Sequence, residues 1–277
     1  MTIPRILAIA GSDSGGGAGI QADVKTITML GGHAMTAITA ITAQNTLGVT
    51  AVHPVPAEAI LAQIDAVVSD IGVDAVKIGM IGSAFAAEQV ALRLQELREE
   101  HAELPIVFDP VMVATSGSVL ADKATIAAFG HLMDLSAVVT PNLPELQALV
   151  GDEIATIEDV EAKALWLSAR HDVAVLAKGG HLPGADVTDV LVERDESVQR
   201  WTVPRLETAH THGTGCTLAS GIATGLGSGL RLAQAVDLGR RYVQATLRAA
   251  PGFGGGHGPV GHALGIVAFD LIHSKNK

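Results

Sequence analysis

The chain has 277 residues, 48% of them hydrophobic and a further 31 glycine, with only 17% charged, against roughly 25% in an average globular domain. This composition excludes disorder for the body of the chain and suits segments buried on both faces, the habit of parallel sheets. Eighteen basic against 29 acidic residues leave a net charge of −11, which excludes a broad nucleic-acid footprint, and the lone Cys216 excludes an internal disulfide or a thiolate zinc site, as expected in a reducing cytoplasm.

The first predicted strand, near 6–10, runs Ile6-Leu7-Ala8-Ile9-Ala10 and turns at once into glycine. It is too short for the apolar core of a secretory leader, and no later stretch approaches the ~18 uninterrupted apolar residues of a membrane span. The loop that follows, Gly11-Ser12-Asp13-Ser14-Gly15-Gly16-Gly17-Ala18-Gly19-Ile20-Gln21-Ala22-Asp23, exposes backbone N–H groups and a helix start to an anion or a small polar ligand. Gly17, Gly19 and Ala22 match a dinucleotide fingerprint, but no acidic residue lies between Asp23 and Glu58 to hold a ribose. A nicotinamide site is disfavoured, and the lack of any Gly-Lys pair excludes a Walker A loop.

A second strand is predicted at 34–42, followed by Thr42-Ala43-Gln44-Asn45-Thr46, where the Gln44 carboxamide can donate and accept at once, as the edge of a heterocycle requires. Ile60, Ile64, Val67, Val68 and Ile71 fall on one helical face and predict an amphipathic cover helix. Strands are predicted near 75–78, 106–108, 137–139 and 173–177, and the last three of them end in polar residues. These ends are Asp109-Pro110-Val111-Met112, Thr140-Pro141-Asn142-Leu143-Pro144-Glu145 and Lys178-Gly179-Gly180-His181. Thr156 and Asp159 read as a capping box, and 187–203 reads as an antiparallel hairpin.

Each polar strand end is an ordinary turn when taken singly, but ligands of open α/β sheets bind where such ends collect. Asp109 and Glu145 are candidate Mg²⁺ ligands, directly or through water, and Lys178 a counter-charge for nucleotide phosphates. His210-Thr211-His212-Gly213-Thr214-Gly215-Cys216 leads into a small-residue helix. Its first N–H groups, at Gly213, Thr214 and Gly215, are expected to form an anion hole for a migrating phosphoryl group, and the helix dipole is expected to favour a thiolate at Cys216. A metal site of His210, His212 and Cys216 lacks a fourth ligand of suitable spacing. The glycine-rich tail 252–262 packs against a flat base or merely connects.

The strand–helix alternation predicts an α/β chain with a mostly parallel sheet and helices on both faces, organised as one domain over 1–277 because no linker or repeat interrupts it. With these motifs, from Ile6 to about His262, the chain resembles the hydroxymethylpyrimidine and phosphomethylpyrimidine kinases of thiamin biosynthesis, in the ribokinase-like superfamily. The resemblance implies a three-layer αβα fold and ATP-dependent, Mg²⁺-assisted phosphorylation of 4-amino-5-hydroxymethyl-2-methylpyrimidine and then of its monophosphate. It places Gln44 on the aminopyrimidine edge, with Gly11, Asp23, Met80 and Val111 near the ring. Lys178, Asn142 and Glu145 fall on the ATP side, and Cys216 stands where relatives often have a catalytic Asp. Gly261 departs from the Asn or His of the resembling tail. A pyridoxal kinase of the same superfamily is the alternative, from which Gln44 and Cys216 discriminate, and a non-catalytic pyrimidine sensor is a third reading. The expected partners are the small pyrimidine alcohol, its phosphate and a second copy of the chain in a homodimer, with neither nucleic acid nor membrane.

Overall fold

A computed structural model describes residues 2–264. Nine strands are β1 (Arg5–Asp13), β2 (His33–Asn45), β3 (Gly48–Pro54), β4 (Ala75–Ile78), β5 (Ile106–Phe108), β6 (Val138–Val139), β7 (Ala174–Ala177), β8 (Asp186–Val192) and β9 (Val198–Pro204). They form one sheet in the order β3-β2-β1-β4-β5-β6-β7-β8-β9. The six strands from β2 to β7 in that order run parallel, while β3, β8 and β9 are antiparallel additions at the two edges.

Among the described residues, eight α-helices cover this sheet: α1 (Gly19–Met29), α2 (Ala57–Asp70), α3 (Ala84–Glu100), α4 (Lys123–Asp134), α5 (Leu143–Val150), α6 (Ile157–His171), α7 (Thr214–Gly227) and α8 (Leu232–Arg248). Successive strand residues point to opposite faces, so each parallel strand feeds two cores. Leu7, Ile9, Val76, Ile78, Ile106 and Phe108 face one cluster, shared with Ile60 and Ile64 of α2, Val90 and Leu94 of α3, Phe129 of α4 and Leu167 of α6. Ile6, Ala75, Val107, Val138 and Leu176 face the other, against Ile27 of α1, Ile222 of α7 and Val236 of α8. The result is the expected three-layer αβα arrangement, and it accounts for the low charge content.

The predicted cover helix is α2, with Ile60 and Ile64 fully buried, although Ile71 falls at its C-cap and is exposed. The Thr156–Asp159 capping box opens α6, and β8 with β9 forms the predicted hairpin. One strand escapes the sequence reading. β2 continues to Asn45, whose Oδ1 accepts the N–H groups of Leu47 and Gly48, and the chain returns as β3. Gln44 therefore stands within a strand, at a register shift after Ala43. Such a bulge re-aims the side chains beside it.

Candidate active site

Parallel strands deliver their carboxyl ends to one edge, and the hydrogen-bond register decides which ends meet. Asp109 donates its N–H to Ile78 O, Thr140 its N–H to Phe108 O, and Lys178 its N–H to Pro141 O. The ends of β4, β5, β6 and β7 are thus stepped side by side. Lys178 Nζ donates to Asp109 Oδ1 at 2.8 Å and stands 3.8 Å from Glu145 Oε2. Thr140 Oγ1 donates to the same Asp109 oxygen at 2.9 Å.

Glu145 is 5% exposed and also caps α5, where its Oε2 accepts the Asn142 N–H at 2.8 Å while Asn142 Oδ1 accepts the Glu145 N–H. Burial pushes its carboxyl up to about 7, with Lys178 opposing and Asp109 reinforcing. Burial draws the Lys178 ammonium downward, but Asp109 and Glu145 outweigh it and hold the group protonated.

The first turn of α7 meets this cluster. A methyl group at Gly215 would lie 3.3 Å from both Asp109 Oδ2 and Lys178 Nζ, so the absence of a side chain there keeps the carboxylate, the ammonium and the helix N-terminus on one surface. Gly213 turns into the helix at φ +90, where any Cβ would collide with Gly17 O. The Gly11–Gly19 loop and the start of α7 consequently pack backbone against backbone. Thr217 is the residue whose N–H first bonds back within the helix, to Gly213 O, which leaves the Gly215 and Cys216 N–H groups in the unsatisfied first turn. The expected donor at Thr214 is corrected, because its N–H is directed at Thr211 O at 3.3 Å.

One further expectation is overturned, that of a thiolate at Cys216. Asp23, expected near the ring, offers no free oxygen: it is fully buried, with Lys77 Nζ at 2.8 and 2.9 Å from its two oxygens and Ser220 Oγ donating at 2.7 Å. Cys216 is not poised as a thiolate. Part of its surface remains open, but the thiol group is enclosed, and burial together with Asp23 and Asp109 pushes it up to about 11 against the opposing pull of Lys77. The helix dipole is outweighed by desolvation and by two carboxylates.

Gly11 and Met80 do come together, since a Cβ at Gly11 would lie 3.1 Å from Met80 Sδ. Val111 is half-buried just beyond Asp109. Gln44 lies across from the α7 loop, with Nε2 3.4 Å from His212 Nε2 and Oε1 3.0 Å from Thr42 Oγ1. His212 is held by Asp13 at 2.9 Å and does not join a metal cluster; no group of three or more His, Cys, Asp or Glu side chains suited to a metal occurs among the described residues. The tail loop packs on the β2–β3 turn, with the His257 N–H on Thr46 O. Gly261 is accounted for by contact, because a Cβ there would lie 2.0 Å from Ala249 O at the end of α8.

Sequence reading missed Lys77, which is 0% exposed at the centre of β4. A lysine in the run Ala75-Val76-Lys77-Ile78, inside an otherwise apolar strand, was the available signal, because a buried ammonium demands a buried partner.

The profile of the phosphomethylpyrimidine kinase family matches residues 13–261. The chain is 46% identical over 261 residues to the hydroxymethylpyrimidine/phosphomethylpyrimidine kinase of Mycobacterium tuberculosis, covering 94% of each. It is 45% identical over 260 residues to the thiamine biosynthesis bifunctional protein ThiED of Geobacter sulfurreducens, which covers 94% of this chain but about half, 52%, of that longer protein. Among solved structures, the ADP complex of Bacillus subtilis pyridoxal kinase superposes with a TM-score of 0.85 at 31% identity, covering 95% of this chain and 98% of that one.

Proposed function

The chain belongs to the phosphomethylpyrimidine kinase family, and we propose that its strand-end site transfers the γ-phosphoryl group of ATP in two steps. The first acceptor is the hydroxyl of 4-amino-5-hydroxymethyl-2-methylpyrimidine, and the second is the resulting monophosphate. The observation that carries this reading is the meeting of Asp109, Lys178 and Glu145 with the Gly215–Cys216 turn of α7, joined through His212 to Gln44. Phosphoryl transfer needs charge neutralisation and positioning more than covalent chemistry, and this arrangement offers both.

In each step an acceptor oxygen bonds to the γ-phosphorus while the bond to the β-bridging oxygen breaks and ADP leaves. Lys178 carries positive charge toward the phosphates, and the Gly215 and Cys216 N–H groups face the migrating phosphoryl. The two carboxylates that flank Lys178 fit Mg²⁺: Asp109 and Glu145 would hold it through hard oxygens, directly or through water, in keeping with this ion's preference for few protein ligands. When bound it supplies charge neutralisation on the phosphate oxygens.

Cys216 accepts the hydroxyl proton only as a thiolate, so the first step accelerates as pH rises toward about 11. Cys216→Ala removes that acceleration and slows the first step by about 10² to 10⁴ at its maximum. It changes the second step little, because the monophosphate is already ionised at neutral pH. A pH-independent first step in the unsubstituted protein would assign Cys216 to positioning alone.

Pyridoxal is the competing acceptor, favoured by the close superposition on a pyridoxal kinase; Gln44 and the Gly-Thr-Gly-Cys loop favour the aminopyrimidine. The test is incubation with Mg-ATP and each alcohol side by side, with products identified by mass. Mono- and diphosphate of the pyrimidine are expected, and exclusive phosphorylation of pyridoxal would overturn the reading. Gln44→Met is expected to reduce kcat/KM for the pyrimidine more than for pyridoxal. The same reading takes the protein as one cytoplasmic domain working as a homodimer, which sedimentation velocity checks.

A further inference from the structure

Beside the cluster that handles phosphate lies a second polar chain, which ties the two glycine loops to Gln44. Asp13 is 3% exposed, and its Oδ2 accepts the N–H groups of Gly17 at 3.0 Å and Ala18 at 2.9 Å, while Oδ1 accepts that of Gly15 at 2.7 Å. Burial works to raise this carboxyl, but hydrogen bonds from His212, Ala18 and Gly15 outweigh it and keep the group ionised. An ionised carboxylate only accepts, so His212 Nε2, 2.9 Å from Oδ2, carries its proton toward Asp13. Nδ1 stands 3.4 Å from Thr115 Oγ1. Gly17 leaves room for the imidazole, because a Cβ there would lie 2.4 Å from His212 Cδ2.

Gln44 has its backbone fixed from the other side: Ser14 Oγ donates to Gln44 O at 2.7 Å and accepts the Gln44 N–H at 2.8 Å. Only the carboxamide is left to orient, and a half-turn exchanges its oxygen and nitrogen. One end stands 3.4 Å from the protonated His212 Nε2. The other stands 3.0 Å from Thr42 Oγ1, which has a single proton and also lies 3.1 Å from Ser12 O, a pure acceptor. A carboxamide nitrogen facing His212 would set donor against donor and leave two acceptors competing for the Thr42 proton. The half-turned carboxamide resolves both conflicts, with oxygen toward His212 and nitrogen donating to Thr42 Oγ1.

We infer that His212, clamped by Asp13, is a positioning residue that fixes which end of the Gln44 carboxamide lies toward the α7 loop, and thereby sets the donor–acceptor order of the heterocycle edge the site accepts. The inference rests on the pyrimidine reading of Gln44. With its oxygen on the His212 side, Gln44 matches an edge that offers an exocyclic N–H there and a ring acceptor beside it, as a 4-aminopyrimidine does. A 4-oxo ring offers the reverse order and meets the carboxamide donor to donor and acceptor to acceptor.

The experiment compares kcat/KM for the 4-amino and 4-oxo forms of 5-hydroxymethyl-2-methylpyrimidine, with the KM for Mg-ATP measured alongside. The unsubstituted protein is expected to prefer the amino form by about tenfold or more, since each mismatched group forfeits a buried hydrogen bond. His212→Ala frees the carboxamide to turn and is expected to lose most of that preference without a change in the KM for Mg-ATP. His212→Gln, which keeps an N–H within reach of Asp13, is expected to retain it. Thr42→Val releases the opposite end of the carboxamide and is expected to erode the preference as well, independently of how well His212→Ala folds. An undiminished amino-over-oxo ratio in either His212→Ala or Thr42→Val overturns the inference, as does an equal loss on both substrates. Failure of the unsubstituted protein to phosphorylate the amino form overturns the pyrimidine reading and this inference with it, so the two failures appear in different arms.

Discussion

Two aspartate–lysine pairs in this protein share a closest separation of 2.8 Å and almost nothing else. Asp23 and Lys77 are both fully buried, and with Ser220 they join α1, β4 and α7 beneath the site. Asp109 and Lys178 sit one layer higher, with Lys178 keeping 15% of its side chain exposed and with Glu145 and Gly215 at their rim. In the first pair every polar atom is spent on another atom of the chain. In the second, a third acidic group and an unsatisfied helix turn leave charge and hydrogen-bonding capacity unspent. Residue type therefore does not mark a site; what distinguishes it is the capacity left over after internal pairing.

Breaking the sealed pair has the largest expected effect. Lys77→Met leaves Asp23 buried without its counter-charge and is expected to cost about 3–5 kcal/mol of stability, read as a fall in the denaturant midpoint. Adding Asp23→Leu to the same variant should recover part of the loss, because a hydrophobic pair replaces a broken ion pair. Breaking the open pair moves activity instead: Lys178→Met is expected to lower Mg-ATP-dependent kcat/KM by about a hundredfold or more. Its stability should change less, because Lys178 is partly exposed where Lys77 is sealed, and Glu145, with its carboxyl raised to about 7, can take up a proton once the ammonium is gone while Asp109 keeps Thr140 as a donor.

Two smaller substitutions sharpen the contrast. Gly215→Ala places a methyl group 3.3 Å from both members of the open pair and is expected to reduce kcat/KM by about tenfold, while alanine's better helix propensity offsets the crowding in the unfolding curve. Glu145→Gln tests the rim. The folded Glu145 carboxyl is raised from 4.5 to about 7, so its favourable contribution to stability is complete below about 4.5 and is lost as pH rises through about 7. The glutamine variant is expected to flatten that decline in a pH series of thermal melts, and to remove the gain in Mg²⁺-dependent activity that accompanies deprotonation near neutral pH.

The same distinction explains what was legible in the sequence. Periodicity exposed β1, β2, β4, β5, β6, β7 and the amphipathic helix α2, because those patterns are imposed by burial against a layer. Local chemistry exposed the α6 capping box and the β8–β9 hairpin. The edge strand β3 stayed hidden because its half-exposed Gly48–Pro54 run has no apolar face to repeat. Placement of polar residues at strand ends brought Asp109, Asn142, Glu145 and Lys178 into view, since parallel topology gathers those ends. Their state was another matter. The Cys216 thiol and the sealed Asp23 are decided by Lys77, Asp109 and Ser220, which lie far away in sequence and meet only when the layers stack.

Whether the open pair carries phosphoryl transfer is tested most directly by measuring ADP formation from Mg-ATP and the aminopyrimidine alcohol for the unsubstituted protein and for Lys178→Met, each shown to be folded by its thermal melt. A product-coupled rate that falls by about a hundredfold or more in Lys178→Met, at nearly unchanged melting temperature, is the expected result. Full turnover in that variant would contradict the assignment, and so would a loss of activity matched by a loss of stability like that expected for Lys77→Met.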